Sequence, residues 1–592
     1  MAVGHRARSS RVYALRGHFG CLLAPTSASI PPGVASLTEP NYPVTNHPVN
    51  DLPTADCYPI DVMPGLSRLF LDYCAGAASA RPFYAAMPTS AAWQTRPPLP
   101  AHWPQMVRLL AEQNRSATAA APLAALAQGA GTVLTGQQGG LFGGPLFTPF
   151  KAATAIARAR QATAAGHPHA AIFWLATEDH DFAEIDHVTF PSGRALENLQ
   201  YLPASEAAQP VGSLVPVGAL VIDERILPLL DRALELLGPS DSMDALAAAY
   251  QPGRTFAQAF ADFYRAIFAA QGLLILDAGG REFHRLGAPV LGAALERADE
   301  LHSALLDRNR QLEAAGYHAQ VAVTPQSSLL FLMDEHTGAR LALKRTAPTA
   351  QEPEGLWQAG RQSYSTAELL GILSAEPERI SPSALLRPVF QDFLLSTSLI
   401  VGGPAEIAYF AQSAVLYERI LGRQTPAAPR FFGTLIEPAI AELLGQHELT
   451  LDRVLTENPA SLAQLLAARS MPIEGKRKLA AAGTALDTEL AALLDWMSSL
   501  DAGLGRSAET AASKIRYQMN RLRTLAANFQ LQREASLSKH AESICNALYP
   551  GGVLQERVHG AAYYFARYGL ELAETLSAQA ANSCPGHAAL WL

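Results

Sequence analysis

The sequence predicts an α/β core built on a parallel sheet, followed by a long α-helical hairpin. Three observations carry that reading. First, "GTVLTG" (131–136), "AAIFWLAT" (170–177) and "GLLILDA" (272–278) each have the length and bounding residues of a buried parallel strand. Second, "PFKAATAIARARQATAAG" (149–166) lies between the first two runs, with helical apolar spacing and Gly166 as its stop. Strand, helix, strand over this distance is a βαβ unit and implies a parallel sheet. Third, no proline occurs between Pro472 and about Leu548, and Ile515, Met519, Leu522, Ala526 and Phe529 recur at 4-3-4-3 spacing. That repeat suits an antiparallel helical hairpin or a coiled coil, with Gly503 and Gly505 at its turn.

A chain of 592 residues is too long for one compact core. Residues 1–50 are rich in Pro, Ser and small side chains without periodicity, and read as a disordered extension or an early start codon. The expected divisions are then 51–448 for the α/β core, 449–548 for the helical region, and 549–592 for a segment returning to the main body. Hydrophobic residues make up 49% and charged residues 17%, a globular balance. The 45 basic and 53 acidic residues give a net charge of −8, which argues against a broad nucleic-acid surface. No run of 18 apolar residues is unbroken, so no membrane span is expected. Cys21, Cys57, Cys74, Cys545 and Cys584 form no CxxC pair and are too sparse for a disulfide framework, which fits a reducing, cytoplasmic setting.

"TGQQGGLFGGPLFTPFK" (135–151) places Gly136, Gly139, Gly140, Gly143 and Gly144 between a strand and a helix, at the carboxyl edge of the sheet. Ligands of open α/β sheets bind there, and glycines let them approach the backbone. Pro145 stands where a Walker A loop needs lysine, and G-x-G-x-x-G is absent. With Gln137, Gln138 and Lys151 alongside, a binding loop is favoured over a tight structural connection.

The next strand ends in "TEDHDFAEIDH", bringing Glu178, Asp179, His180 and Asp181 together, then Glu184, Asp186 and His187. Four consecutive ionisable residues are costly to desolvate unless they serve a ligand, a metal or one another. No HExxH or standard zinc spacing is present, so no resident metal set is expected. The alternative is a solvated acidic turn. A third stretch, "LLRPVFQDFLLSTSLIVGGPAEIAYFAQ", carries Arg387 and Gln391 before an apolar run, then Glu406 and Tyr409 on a helix opened by Gly402, Gly403 and Pro404. Glu406 in a first turn also stabilises the helix dipole. Thr324, Ser327 and Ser328 are candidate hydroxyls, whereas His284, His318 and His336 read as isolated surface or core histidines.

These three stretches, together with "LYPGGVLQER", closely resemble the bacillithiol biosynthesis cysteine-adding enzymes, the BshC family, from about Cys57 to Tyr568. The resemblance implies a Rossmann-like core with inserted connecting segments and a C-terminal coiled coil that mediates homodimerisation. It also implies the last step of bacillithiol synthesis, in which a ligase joins the carboxyl group of L-cysteine to the amine of glucosaminyl-malate. ATP and Mg²⁺ are the suspected energy source. The first fifty residues and the alanine-rich hairpin depart from the family. No HxGH signature of synthetase-like adenylation is present, since "GHPHA" with His167 and His169 does not fit it.

Under that reading, backbone N–H groups from Gly136 to Gly144 and the Lys151 ammonium stabilise phosphoryl or oxyanion charge. Asp179 or His180 accepts the proton of the sugar amine. Glu178 or Asp181 holds Mg²⁺ if ATP is used. Arg387 clamps the malyl carboxylates and Glu406 takes the cysteine ammonium. Gln137, Gln138, Gln391 and Tyr409 complete the expected substrate contacts. Two rivals belong to other classes: a metal-dependent hydrolase built on Glu178–Asp181, and a non-catalytic dimeric scaffold.

Overall fold

In the computed structural model, residues 55–193, 195–202, 214–324, 326–346, 355–582 and 584–592 are described. The expected disordered extension, 1–50, lies outside them. The central sheet has five strands: β1 (Gly131–Gln137), β2 (His169–Leu175), β3 (Leu274–Asp277), β4 (Thr397–Gly402) and β5 (Ala427–Pro429). Their order is β5-β4-β1-β2-β3, and every neighbouring pair is parallel. Successive side chains alternate between two cores. Val133, Phe173, Leu175, Ile275, Leu399 and Val401 enter one, while Leu134, Ile172, Trp174, Leu274, Leu276 and Ile400 enter the other. Burial on both faces is what makes such strands read as continuous apolar runs.

Helix α1 (Phe147–Ala164) connects β1 to β2 and is buried along most of its length. Its alanines let it lie between the sheet and the C-terminal helix Leu572–Ala581. On the opposite face run α2 (Arg281–Glu296), α3 (Arg387–Leu395) and α4 (Pro404–Leu421), whose Val290, Phe390 and Ile407 join the second core. The chain builds outward from β1 to β2 and β3, then returns to lay β4 on the other side of β1. The sheet's switch point therefore lies between the carboxyl ends of β1 and β4, where ligands of such sheets bind.

The helical hairpin consists of α5 (Ile473–Leu500) and α6 (Ala502–Arg533). The turn falls at Asp501, whose carboxylate accepts from the N–H groups of Gly503 (2.7 Å) and Leu504 (3.0 Å). Gly503 and Gly505 are thus inside the second helix rather than at the turn itself. Gly505 serves close packing, because a Cβ there would lie 2.5 Å from Ser498 Oγ. Small residues such as Gly483, Gly505 and Ala512 make the buried seam. The 4-3-4-3 stripe faces outward instead, with Ile515 44%, Leu522 55% and Phe529 62% exposed.

The C-terminal segment packs back on the body of the chain. Its last strand, His587–Trp591, pairs antiparallel with Ala55–Tyr58 and parallel with Gly433–Ile436. One expectation about the cysteines is corrected here: Cys57 and Cys584 form a disulfide, with Cα atoms 5.7 Å apart, because this pairing brings the two segments together. Sparseness in sequence carries no information about such long-range proximity. No described helix is long and apolar enough to cross a membrane.

Candidate active site

The glycine-rich loop after β1 is closed upon itself. Gly143 has φ +85°, and a Cβ on it would lie 2.7 Å from the Phe263 ring. Its N–H donates to the Tyr250 hydroxyl (3.0 Å), which in turn donates to the Gly140 carbonyl (2.7 Å). The Tyr264 hydroxyl donates to the Gly143 carbonyl (2.9 Å). The N–H of Leu141 is bound to the Ile185 carbonyl and that of Gly144 to the Leu141 carbonyl. The expectation that Gly143 and Gly144 offer N–H groups to a ligand is therefore corrected: both donors are engaged within the protein, and these glycines let the loop pack tightly.

What the loop presents to the crevice is side chains. Lys151, on the first turns of α1, donates to the Gly136 carbonyl (2.9 Å) and Gln137 Oε1 (2.8 Å). Its Nζ also lies 2.5 Å from Glu406 Oε2 on α4, so one buried cation ties β1 to α4 across the switch point. Burial holds its pKa below the ordinary lysine value, with Glu406 pulling the other way. Glu406 also accepts from the Gly403 N–H (2.8 Å), so it caps α4 as well as pairing with Lys151. Its expected role as receptor of a substrate ammonium competes with both contacts.

At the end of β2 the acidic cluster fans apart. Glu178 turns toward α2, where its Oε1 lies 2.9 Å from Nε2 of the fully buried His284. The His284 Nδ1–H donates to the Ile380 carbonyl (2.9 Å). Burial disfavours the charged imidazole, but the Glu178 charge and these hydrogen bonds outweigh it and raise the His284 pKa. Asp179 faces α3, where Arg387 grips both carboxylate oxygens. Arg340 Nη1 adds a third contact at 3.3 Å, and Gln138 donates from 3.3 Å on the other side. Burial would raise the Asp179 pKa, yet the two guanidiniums hold it below the ordinary carboxylate value. As a proton acceptor Asp179 is accordingly poor, which corrects half of the expected base assignment.

His180 is half-buried beside this pair, and its Nδ1 is buried without a hydrogen-bond partner among the described residues. Burial and then Arg340 lower its pKa, so the imidazole is neutral near pH 7. The Asp181 carboxylate makes no hydrogen bond or ion pair among the described residues. Tyr409, one turn beyond Glu406, lies within electrostatic reach of Glu406, Arg387 and Asp179. Gln391 is buried one turn after Arg387. The structure thus joins Gln137, Lys151 and Glu406 in one set of contacts and Gln138, Asp179 and Arg387 in another, with His180 and Tyr409 within electrostatic reach of Asp179. Glu178 is directed away from both sets, into a structural ion pair.

Several site residues escaped the sequence reading. Arg340 sits in a stretch without any motif, and the isolated His284 looked like an ordinary core residue. Arg430 binds the Gly402 carbonyl through its N–H (2.9 Å) and pairs with Glu556, Nη1 to Oε2 2.8 Å, both almost free of solvent. The visible signal for Glu556 and Arg557 was the motif "LYPGGVLQER", which ends on them.

Two family profiles cover this architecture. The N-terminal Rossmann-like domain of the bacillithiol biosynthesis protein BshC matches residues 55–431, and its C-terminal coiled-coil domain matches 433–590. The chain belongs to the BshC family of bacillithiol biosynthesis. Among similar proteins, the "Putative cysteine ligase BshC" of Koribacter versatilis is 41% identical over 90% of this chain and 98% of its own length. Proteins of the same name from Solibacter usitatus (34%, covering 81% and 88%) and Salinibacter ruber (30%, covering 75% and 80%) follow. The second profile gives the exposed α5–α6 hairpin a coiled-coil identity compatible with oligomerisation.

Proposed function

We propose that this chain is a ligase that joins the carboxyl carbon of L-cysteine to the amine nitrogen of glucosaminyl-malate, forming the amide bond of bacillithiol. The observation that carries the reading is the cluster beyond the carboxyl end of β2, where the neutral His180 imidazole stands beside an arginine-gripped carboxylate. The names of the relatives support a cysteine ligase. In this scheme His180 takes the proton released as the sugar amine attacks an activated cysteine carboxyl. Asp179 stays ionised and fixes the directions of Arg387 and Arg340. Arg387 then offers its remaining guanidinium edge to the malyl carboxylates. Lys151 stabilises negative charge developing beside Gln137.

Activation of the carboxyl is assigned to ATP with Mg²⁺ as part of the same proposal. The expected Mg²⁺ ligands do not fit well: Glu178 is held by His284, and of the two acids only Asp181 is left. The loop N–H groups of Leu141, Gly143 and Gly144 are likewise engaged, so a phosphate cradle of the Walker kind is not part of the scheme. The hydrolase alternative loses support for a related reason, because no three His, Cys, Asp or Glu side chains are grouped as a metal site among the described residues. Homodimerisation through the outward stripe of α6 completes the proposal.

The test supplies purified protein with glucosaminyl-malate and cysteine carrying ¹⁸O in its carboxyl, with and without Mg-ATP. Product only with Mg-ATP, with one ¹⁸O transferred to AMP or to phosphate, supports the ligase. Unchanged substrates with Mg-ATP present would reject ATP as the donor.

A further inference from the structure

The proposed ligation leaves the chain's own cysteines unused. Cys74 and Cys545 are free thiols, and burial pushes both pKa values up to about 12, so neither carries appreciable thiolate near pH 7. Cys21 lies outside the described residues. The Cys57–Cys584 disulfide is placed differently. Cys57 sits on Ala55–Tyr58, which among the described residues pairs only with His587–Trp591 and so forms the edge of a three-stranded sheet. Exposure alternates along that strand, and Ala55 and Cys57 are on the solvent side. Cys584 is half-buried and packs against the core that holds Phe173 and Leu590. One sulfur of the pair is thus offered to solvent and the other is sheltered.

The segment that the disulfide ties down is joined to the crevice by a run of contacts. His587–Trp591 lies parallel to Gly433–Ile436, and His587 Nε2 is 2.8 Å from the Thr434 hydroxyl. Leu435 has both its N–H and its carbonyl bonded to the Gln555 side-chain amide, each at 2.8 Å. Glu556 comes next and grips Arg430, whose N–H holds the Gly402 carbonyl at the end of β4 (2.9 Å). His587, Thr434, Leu435, Gln555, Glu556 and Arg430 are all buried, so the run is continuous within the protein.

We propose that Cys57–Cys584 is an exchange site for low-molecular-weight thiols, opened by attack on the Cys57 sulfur. The thiolate of a small thiol bonds to Cys57 Sγ as the Sγ–Sγ bond breaks, and Cys584 leaves as a thiolate that takes up a proton. A second small thiolate displaces Cys57 from the mixed disulfide, and Cys57 is protonated in turn. Two electrons and two protons have then passed from two small thiols to the protein, and the thiols leave joined as one symmetrical disulfide. The reverse sequence closes the bond. Naming cysteine as the thiol rests on the ligase reading; the exchange itself does not. Under that reading, a rising ratio of cysteine to cystine releases the covalent tie that anchors the C-terminal strand beside the crevice.

The experiment equilibrates the full chain in buffers of L-cysteine and cystine at varied ratio, followed by acid quenching, alkylation and peptide mass mapping. Cys57 and Cys584 are expected to become alkylated together as the cysteine share rises, while Cys74 and Cys545 acquire no cysteine adduct. With cystine alone, C584S should take up cysteine at Cys57 at least about tenfold faster than C57S takes it up at Cys584, because access and thiolate fraction set the rate. Amide hydrogen exchange across 433–436 and 587–591 should accelerate by about tenfold or more when the wild type is reduced, since the anchor is lost. A disulfide that never forms in cystine, one that persists through the whole cysteine series, equal labelling rates in the two variants, or unchanged amide exchange overturns the proposal. No readout uses turnover, so absent ligation product from a protein that still exchanges counts against the ligase reading alone.

Discussion

Asp179 is at the meeting point of three segments: the end of β2, the start of α3 and the strand that carries Arg340. Asp179→Asn should lower product formation by about 100-fold, the scale expected when reacting groups lose alignment. Its pH profile should keep the wild-type shape, because the group removed does not titrate near neutrality. His180→Ala should also cost about 100-fold or more, but with the acid-side limb of the profile, below the ordinary histidine value, abolished; steady-state rates across the acid range and up to neutrality separate the two variants. His284 has a different kind of role. Replacing it with leucine leaves Glu178 ionised and unpaired, at a cost of about 3 kcal/mol in chemical denaturation. Since the folded pKa of His284 is raised above the ordinary 6.5, its contribution is fully present below that value and is lost as pH rises through the folded one. Wild-type stability should therefore fall on the alkaline side by a component missing from the leucine variant. The sequence showed the cluster Glu178–Asp181 but not the partners that split it, because His284, Arg340 and Arg387 come from 100 to 210 residues further along, where no local signal points back.

The strands β1, β2 and β3 and helix α1 were legible because double-sided burial leaves a local signature in composition. The glycine loop was legible as a position and misleading as a device: its glycines pack against Phe260 and Phe263, and nothing in the stretch itself announces those rings. In the hairpin, the apolar repeat was legible but not its direction. Small residues close the seam between α5 and α6, leaving Ile515, Leu522, Leu525 and Phe529 exposed. Covering such side chains contributes about 1.5–3 kcal/mol each, enough for a second α6 to hold a dimer. The double substitution Leu522→Glu and Phe529→Glu should convert dimer to monomer in light scattering coupled to size exclusion, while the far-UV circular dichroism of the helices persists.

Across the whole molecule, the ends of the described chain are joined twice, by the pairing of Ala55–Tyr58 with His587–Trp591 and by the Cys57–Cys584 disulfide. Under oxidising conditions Cys57→Ser should lower stability by about 2–4 kcal/mol, read as a shift of the denaturation midpoint that reduction of the wild type reproduces. The same closure returns the C-terminal segment to the glycine loop, so Arg430–Glu556 and Arg557 complete a crevice begun some 400 residues earlier. The motif "LYPGGVLQER" is visible in the sequence, whereas its charge pairing depends on three-dimensional proximity alone. The proposed ligase joins cysteine to an amino sugar in this crevice. Its most direct test is the mass spectrum of full-length protein incubated with cysteine, glucosaminyl-malate and Mg-ATP, beside Arg387→Ala shown to be folded. Wild type should give the condensation product, one water lighter than the summed substrates, and the variant at least tenfold less. Equal product from both, or none from the wild type, would contradict it.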